Sequence, residues 1–437
     1  MAKRDDAGPG RSNLAKYCVV AALFILTMIT YVDRVAISTA KAPIAFELKL
    51  SDSAMGLVFS AFAFGYAVTQ IPAGWLADKA GPRAVLAVTV GFWGVLTAIT
   101  GVAWSLTSLV AVRFLFGVGE SAVFPAAARA IRNWLQPGER GRANGALFAG
   151  SRLGAAFSYP LLVWMLGRWN WRDSFLILGI AGVAWAVLWL LLFRNYPGIE
   201  PGLESSLKPG GGLPTYHDQV ASNNIIRLGG IFRSRPMALA MAQYFASNFT
   251  NFICLSWMLP YLMMQYHLTA PAAAAYSMAP LLLGATSQGI TGWLIDRMYH
   301  SHLRAWSRRL PAIVGFSLAA AALLGVARAG SAGLAVLSFT VAIFGADMTI
   351  SPSWVFCADL AGRNTGGVSG AMNMLGNIGA FVSANAFPYL KHATGSASAY
   401  FVVAAVLNVF GIFCWFQMRS AGDLSSAHEI EKMERSR

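Results

Sequence analysis

An all-α integral membrane protein of twelve transmembrane helices, set as two pseudo-symmetric six-helix bundles, is the fold class that three features of the sequence predict. The 437-residue chain is 56% hydrophobic and only 12% charged, about half the charge usual in a soluble domain. Apolar stretches long enough to cross a hydrocarbon core of about 30 Å, which takes about 20 residues of helix, recur along its whole length. A local pattern in the first half also returns, weakened, half a chain length later.

The twelve predicted spans run from Tyr17 to Ile37, Ser53 to Leu76, Arg83 to Ala103, Leu106 to Ile131, Arg142 to Leu166, Ser174 to Phe193, Met237 to Gln265, Ala272 to Ile295, Leu310 to Ala327, Leu334 to Cys357, Gly367 to Leu390 and Ser398 to Met418. Lipid offers no partner to a free N–H or C=O, so spans of this length must be helices, and the alternation of a membrane barrel is absent. Residues 17–194 then form one six-helix bundle and 237–419 the other, joined by a polar Gly-, Pro- and Ser-rich linker at 195–236. Residues 1–16 and 420–437 are expected as cytoplasmic tails. With both termini inside, Lys and Arg gather on the cytoplasmic side, so the net charge of +14 reads as topology and no nucleic-acid partner is expected.

Lys3, Arg4, Arg11 and Lys16 precede the first span, and no small-residue cleavage site follows it, so no removable signal peptide is expected. Cys18, Cys254, Cys357 and Cys414 all fall in apolar spans without paired spacing, which points to neither a disulfide framework nor a metal site. The single Asn-x-Ser/Thr site, Asn248-Phe249-Thr250, lies inside a span, which favours a bacterial inner membrane.

The internal repeat aligns Thr69-Gln70-Ile71-Pro72-Ala73-Gly74-Trp75-Leu76-Ala77-Asp78-Lys79 with Ser287-Gln288-Gly289-Ile290-Thr291-Gly292-Trp293-Leu294-Ile295-Asp296-Arg297. Gly-x3-Gly spacings at Gly141/Gly145, Gly150/Gly154 and Gly366/Gly370 predict close helix approach. Gly74-x3-Asp78-Lys79-x-Gly81-x-Arg83 resembles the loop motif of the major facilitator superfamily, and Gly292-x3-Asp296-Arg297 resembles its weaker second copy. The resemblance implies a gating latch, in which the carboxylate faces a helix N-terminus and basic groups across the cytoplasmic ends; the alternative is a solvated turn.

Further stretches, Tyr31-Val32-Asp33-Arg34, Phe64-Gly65-Tyr66, Arg113 to Ser121 and Ser369 to Asn377, resemble the anion:cation symporter family within that superfamily. That resemblance implies uptake of a small organic anion, such as an aldonate, aldarate or hexuronate, with a proton as coupling ion and no cofactor. It also implies a monomeric carrier in the plasma membrane. Uptake of an aromatic or other carboxylate, uniport and proton-coupled export are the alternatives. No enzyme signature such as His-Glu-x2-His or Gly-x-Ser-x-Gly and no Walker loop is present in the sequence.

Charges inside spans give an independent argument, because each costs at least about 2.5 kcal/mol to insert and must face a cavity or a partner. Asp33, Arg34, Arg113, Glu120 and Arg152 stand out in the first half and Asp347 in the second. Arg113 and Glu120, two helical turns apart, share a face, whereas Asp33 and Arg34 point about 100° apart, so one can face the transport path while the other pairs with span four. Burial disfavours a bare carboxylate and a neighbouring guanidinium restores it, a balance that suits a proton carrier. Asp33 and Glu120 are therefore the expected proton sites and Arg34, Arg113 and Arg152 the expected anion contacts, against the alternative of a static ion-pair network. The family resemblance adds Tyr31, Tyr66, Ser351, Ser353, Trp354 and Asn373 as substrate-facing positions, with Asn377 on the same helix face as Asn373; interhelical hydrogen bonds for the Ser and Asn residues and an interface anchor for Tyr are the alternatives. Arg152 stands where sugar-acid carriers often have Gln; it suits a second anionic group or balances Asp33 or Glu120. Asp347, five residues before the kink expected at Pro352, is either a second proton or hydroxyl contact or a structural group.

Overall fold

The computed structural model describes residues 9–195, 234–361 and 364–418; most of the linker and the 420–437 tail predicted from the sequence lie outside these residues. Sixteen α-helices occupy the described residues. In the first half these are α1 (Pro9–Thr39), α2 (Lys41–Glu47), α3 (Asp52–Ala80), α4 (Pro82–Thr100), α5 (Leu106–Glu120), α6 (Val123–Trp134), α7 (Arg140–Arg168) and α8 (Trp171–Leu192). In the second they are α9 (Arg235–Ser256), α10 (Met258–Tyr266), α11 (Ala270–Tyr299), α12 (Arg309–Ala327), α13 (Ala332–Met348), α14 (Ile350–Ala361), α15 (Thr365–Thr394) and α16 (Ser398–Gln417).

The twelve predicted stretches map onto these helices, and three of them are each broken into two. A proline inside a helix removes one hydrogen bond and its ring collides with the carbonyl four residues earlier. Pro125, Pro260 and Pro352 stand four residues after Ser121, Ser256 and Met348, where α5 gives way to α6, α9 to α10 and α13 to α14. The kink expected at Pro352 is thus a full break just beyond Asp347. Helix starts at the loops are capped locally: Ser105 Oγ accepts from the Ser108 N–H, and Asn170 Oδ1 from the Asp173 N–H.

Among the described residues, eight spans are long and apolar enough to cross a bilayer by themselves, and α7 taken as one bent span makes nine. The α9/α10 pair, α11 and α15 fall short because they carry buried polar side chains, among them Gln243, Asn251, Gln288 and Asn373. On the outer helices, large apolar side chains such as Val187, Leu191, Val406 and Phe413 are exposed, as a lipid-facing surface requires.

The cores differ at the two ends of the molecule. At the end carrying both Gly-x3-Asp motifs, one apolar cluster runs through both halves, including Ala77, Trp134, Phe148, Trp354 and Val368. At the far end each half has its own cluster, one around Ile37, Leu109 and Phe175 and another around Tyr261, Phe339 and Phe401. The glycines explain the tight end. Gly74 on α3 lies against Gly366 and Gly367 on α15, and Gly141 on α7 lies against Gly292 on α11, leaving no space for a Cβ at any of these crossings.

Candidate functional site

Toward the far end of α1, Tyr31, Asp33 and Arg34 enter a group of buried charges. Arg34 Nε donates to Glu120 Oε1 at 2.5 Å, and its guanidinium lies over the rings of Tyr66, Tyr31 and Phe62 at 4.8, 5.0 and 5.4 Å. Glu120, the last residue of α5, has no exposed side-chain surface, while 21% of the Arg34 side chain is exposed. An anion can therefore reach the arginine without reaching its carboxylate partner. Asp33 points elsewhere, accepting from Trp93 Nε1 on α4 at 3.0 Å. Of the two neighbours on span one, then, Arg34 is the one that pairs with span four. Arg113 lies beside the rings of Phe62 and Phe116, at 5.0 and 4.5 Å, and hydrogen bonding to Glu120 falls to Arg34 instead.

Four polar atoms in this group are buried without a hydrogen-bond partner among the described residues: Asp33 Oδ1, Arg34 Nη2, Arg113 Nε and Glu120 Oε2. Such atoms are rare in folded proteins because each forfeits its hydration. Two bare carboxylate oxygens beside two incompletely bonded guanidinium groups are chemically able to exchange a proton on the acid for an anion on the base.

The second half faces this group across the seam. Asn373 Nδ2 donates to the Tyr66 hydroxyl at 3.4 Å, and Asn377, one turn on, donates to the Asn373 carbonyl at 2.8 Å. Trp354 Nε1 donates to the Tyr244 hydroxyl at 2.8 Å, and its ring packs on Phe124 and Phe148 of the first half. The two serines turn away. Ser351 Oγ donates to Gln288 Oε1 at 3.0 Å, and Ser353 Oγ to the Thr349 carbonyl at 2.6 Å while it also bonds Gln243, so both hydroxyls are engaged inside the second half.

Arg152 does not balance Asp33 or Glu120. It reaches across to the second half, donating through Nε to Asp347 Oδ2 at 3.0 Å, through Nη2 to Asp347 Oδ1, and through Nη2 to Asn251 Oδ1 at 3.0 Å.

Both repeat motifs are engaged at the tight end. The Asp78 carboxylate accepts from the N–H groups of Gly366 and Gly367 at 2.8 and 2.7 Å, at the start of α15. Asp296 accepts from Gly141 and Arg142 at 2.8 Å each, at the start of α7. Each carboxylate therefore fills the free donors of a helix N-terminus in the opposite half, where the helix dipole favours negative charge. Gly81 (φ 81°) ends α3 in a conformation that side chains resist, and Arg83 ties the turn to α8 by donating to the Leu190 carbonyl at 2.8 Å. Lys79 and Arg297 lie over Trp75 and Trp293, each on its own helix.

Sequence reasoning missed several partners. Asp359 on α14 binds Arg140 of the first half at 2.9 Å and Arg308 of the second at 3.2 Å, and Arg308 also donates to the Pro137 carbonyl. Nothing local marks this trio, whose members are far apart in the chain. Gln288 stood in the repeat and could have been found there, but Trp93, one tryptophan among fourteen, gave no signal.

Comparison with known proteins places the chain in context. The sequence pattern of the Major Facilitator Superfamily matches residues 23–384. The chain is 31% identical over 394 residues to a probable sulfoacetate transporter of Cupriavidus necator, covering 90% of this chain and 91% of that one. It is 30% identical to a probable L-galactonate transporter of Escherichia coli, over 80% of this chain and 78% of the other, and 27% identical to a probable galactarate/D-glucarate transporter of Bacillus subtilis, over 91% and 92%. Among solved structures, the proton:xylose symporter XylE superposes with a TM-score of 0.75 at 14% identity, over 94% of this chain and 97% of that one. The E. coli fucose:proton symporter FucP gives 0.70 at 16%, over 93% and 100%.

Proposed function

The chain belongs to the Major Facilitator Superfamily and is a membrane transporter rather than an enzyme, and from that premise we propose that it takes up a small organic anion, a sugar acid in the first instance, together with protons by alternating access. The names of the relatives support the substrate class and include both singly charged acids, the galactonates, and doubly charged ones, glucarate and sulfoacetate. The protein works as a monomer in the bacterial inner membrane with both termini inside.

One observation carries the coupling: Arg34 is held by Glu120 in a group where each keeps an unpartnered polar atom and only the arginine meets solvent. A carboxylate that occupies the cation competes with an incoming one. Protonation of Glu120 removes the competitor, and the rings of Tyr31, Phe62 and Tyr66 hold the guanidinium in place while its partner changes. Asp33 supplies a second protonatable site beside Trp93. Arg113 adds positive charge, and Asn373 and Asn377 offer hydrogen bonds to hydroxyls. Ser351 and Ser353, engaged within their own half, serve packing in this reading.

The shared core at the motif end and the separate cores at the far end support an outward-facing arrangement. The Asp78 and Asp296 contacts are the latches that release when the halves rock. The test is uptake of labelled sugar acids into proteoliposomes with and without an inward proton gradient, for the native chain and Glu120→Gln. Gradient-driven accumulation that Glu120→Gln abolishes, with counterflow exchange retained, is the expected result. Equal accumulation by both proteins would sink the coupling role of Glu120.

A further inference from the structure

The Arg152–Asp347 pair is a full charge pair joining the two halves in the protein interior. Asp347 has no exposed side-chain surface and Arg152 has 9%. Its surroundings are neutral. From α9, Asn251 gives Oδ1 to the Arg152 guanidinium while its Nδ2 has no partner, and Ser247 bonds Thr349. From α11, Gln288 Nε2 donates to the Asp347 main-chain carbonyl at 3.0 Å, and Gly284 leaves the space in which the carboxylate lies. A Cβ at position 284 would collide with Asp347 Oδ2 and stand 3.6 Å from Arg152 Nε. Among the described residues, Arg152 is the one charged group acting on Asp347.

On α7, Gly150 and Gly154 seat the helix on α1 at Phe24, Thr27 and Met28, while Arg152, on the opposite face, reaches the second half. Asn251 is two turns along α9 from Tyr244, which is within electrostatic reach of Tyr31 and Tyr66.

The geometry points to Arg152 as a second anion subsite that Asp347 fills in the empty carrier, so that a dianionic substrate displaces the Asp347 carboxylate, which takes up a proton as it leaves. This rests on the transport reading above and deepens it. A guanidinium fork accepts one carboxylate or sulfonate in place of another with the same pair of hydrogen bonds. Asp347, cut off from Arg152 at zero exposure, keeps only neutral hydrogen-bond partners such as Gln288 and leaves as the neutral acid. The charges balance: the proton enters from the outer solution and binds a carboxyl oxygen of Asp347, and the second anionic group of the substrate takes the vacated guanidinium. A monoanion held at Arg34 leaves the pair closed. A dianion therefore moves with one proton more than a monoanion of the same length.

The test uses the full chain in proteoliposomes at clamped membrane potential, with glucarate and galactonate as dianionic and monoanionic probes, reading the proton-to-anion ratio from the gradient at which net flux reverses. The expected ratio in the native protein is greater by one for glucarate, and Asp347→Asn lowers the glucarate ratio to that of galactonate. Arg152→Gln raises the KM for glucarate about tenfold more than that for galactonate, the loss of one charged fork. If Asp347→Asn strands Arg152 and fails to fold, the double variant Arg152→Gln/Asp347→Asn removes both charges and carries the same expected loss of the extra proton. Equal ratios for the two acids, an unchanged ratio in the variants, or uptake of galactonate without glucarate overturns the proposal while leaving the transport reading intact. Uptake of neither acid by the native protein sinks both.

Discussion

Arg34–Glu120 and Arg152–Asp347 are the same chemical pair in two settings. The first lies within one half, is open to solvent on its arginine side and has three aromatic faces around the guanidinium. The second joins two halves, is almost fully buried on both sides and is bonded by the neutral amides of Asn251 and Gln288. Where rings hold the cation independently, its carboxylate partner can be exchanged and the arginine stays in place. Where both ions are buried and the groups seen to bond them besides each other are neutral amides, losing one ion leaves the other without its charge partner.

The largest effect expected from breaking this contrast is at Arg34. Arg34→Ala removes the reachable cation and leaves buried Glu120 without its hydrogen-bonded partner, at a cost of up to about 3 to 5 kcal/mol, so uptake falls below detection and the melting temperature drops. Arg34→Lys keeps the charge but loses the fork and the stacking, and retains only part of the activity. Native-like uptake by Arg34→Ala would remove the first pair from the transport path.

The two latches give a smaller effect and sharpen the comparison between halves. Asp78→Asn and Asp296→Asn each withdraw a charge from a helix N-terminus, worth about 1 to 2 kcal/mol when partly buried. Amide exchange should quicken at Gly366 and Gly367 in the first variant and at Gly141 and Arg142 in the second. Unchanged exchange at those amides would mean that the motif carboxylates do not hold the tight end.

The smallest effect lies at the far end, where the halves have separate cores and Glu47 ties α2 to α8 within the first half. Its carboxylate accepts from Trp171 Nε1 at 2.6 Å and pairs with Arg172 at 2.8 Å, and the Trp171 hydrogen bond, followed by that from Arg172, holds it below the ordinary glutamate value of 4.5. A depressed carboxyl stabilises the fold above its ordinary value and loses that contribution as pH falls through the lower folded one. Melting temperature should therefore decline slightly more steeply below pH 4.5 for the native chain than for Glu47→Gln. Parallel curves would show the tie to be thermodynamically idle.

The candidate site was partly legible because helix geometry is local. Two turns set Arg113 and Glu120 on one face, and adjacency separated Asp33 from Arg34, so one of them was expected to pair with span four. Arg34 does so. Periodicity says which way a side chain points along its own helix and leaves open which helix packs opposite. For that reason the sequence left Arg152 open between an anion contact and a balance for Asp33 or Glu120, and did not point to Asp347, which lies 195 residues away. Ser351 and Ser353 illustrate the same limit, since their hydroxyls are engaged by Gln288, Gln243 and a backbone carbonyl of their own half.

By itself the sequence determined that the chain crosses a membrane repeatedly as helices, that its halves repeat one motif, and that the span carrying Pro352 is kinked there. These follow from the chain's own covalent and solvation chemistry, since a backbone in lipid must satisfy its hydrogen bonds within the segment. Only the tertiary structure decided which charges meet: Arg34 with Glu120, Arg152 with Asp347, Asp78 and Asp296 with the helix starts of the opposite half. Those choices depend on which helices glycine-lined crossings bring together, a property of packing between distant segments that no local pattern encodes.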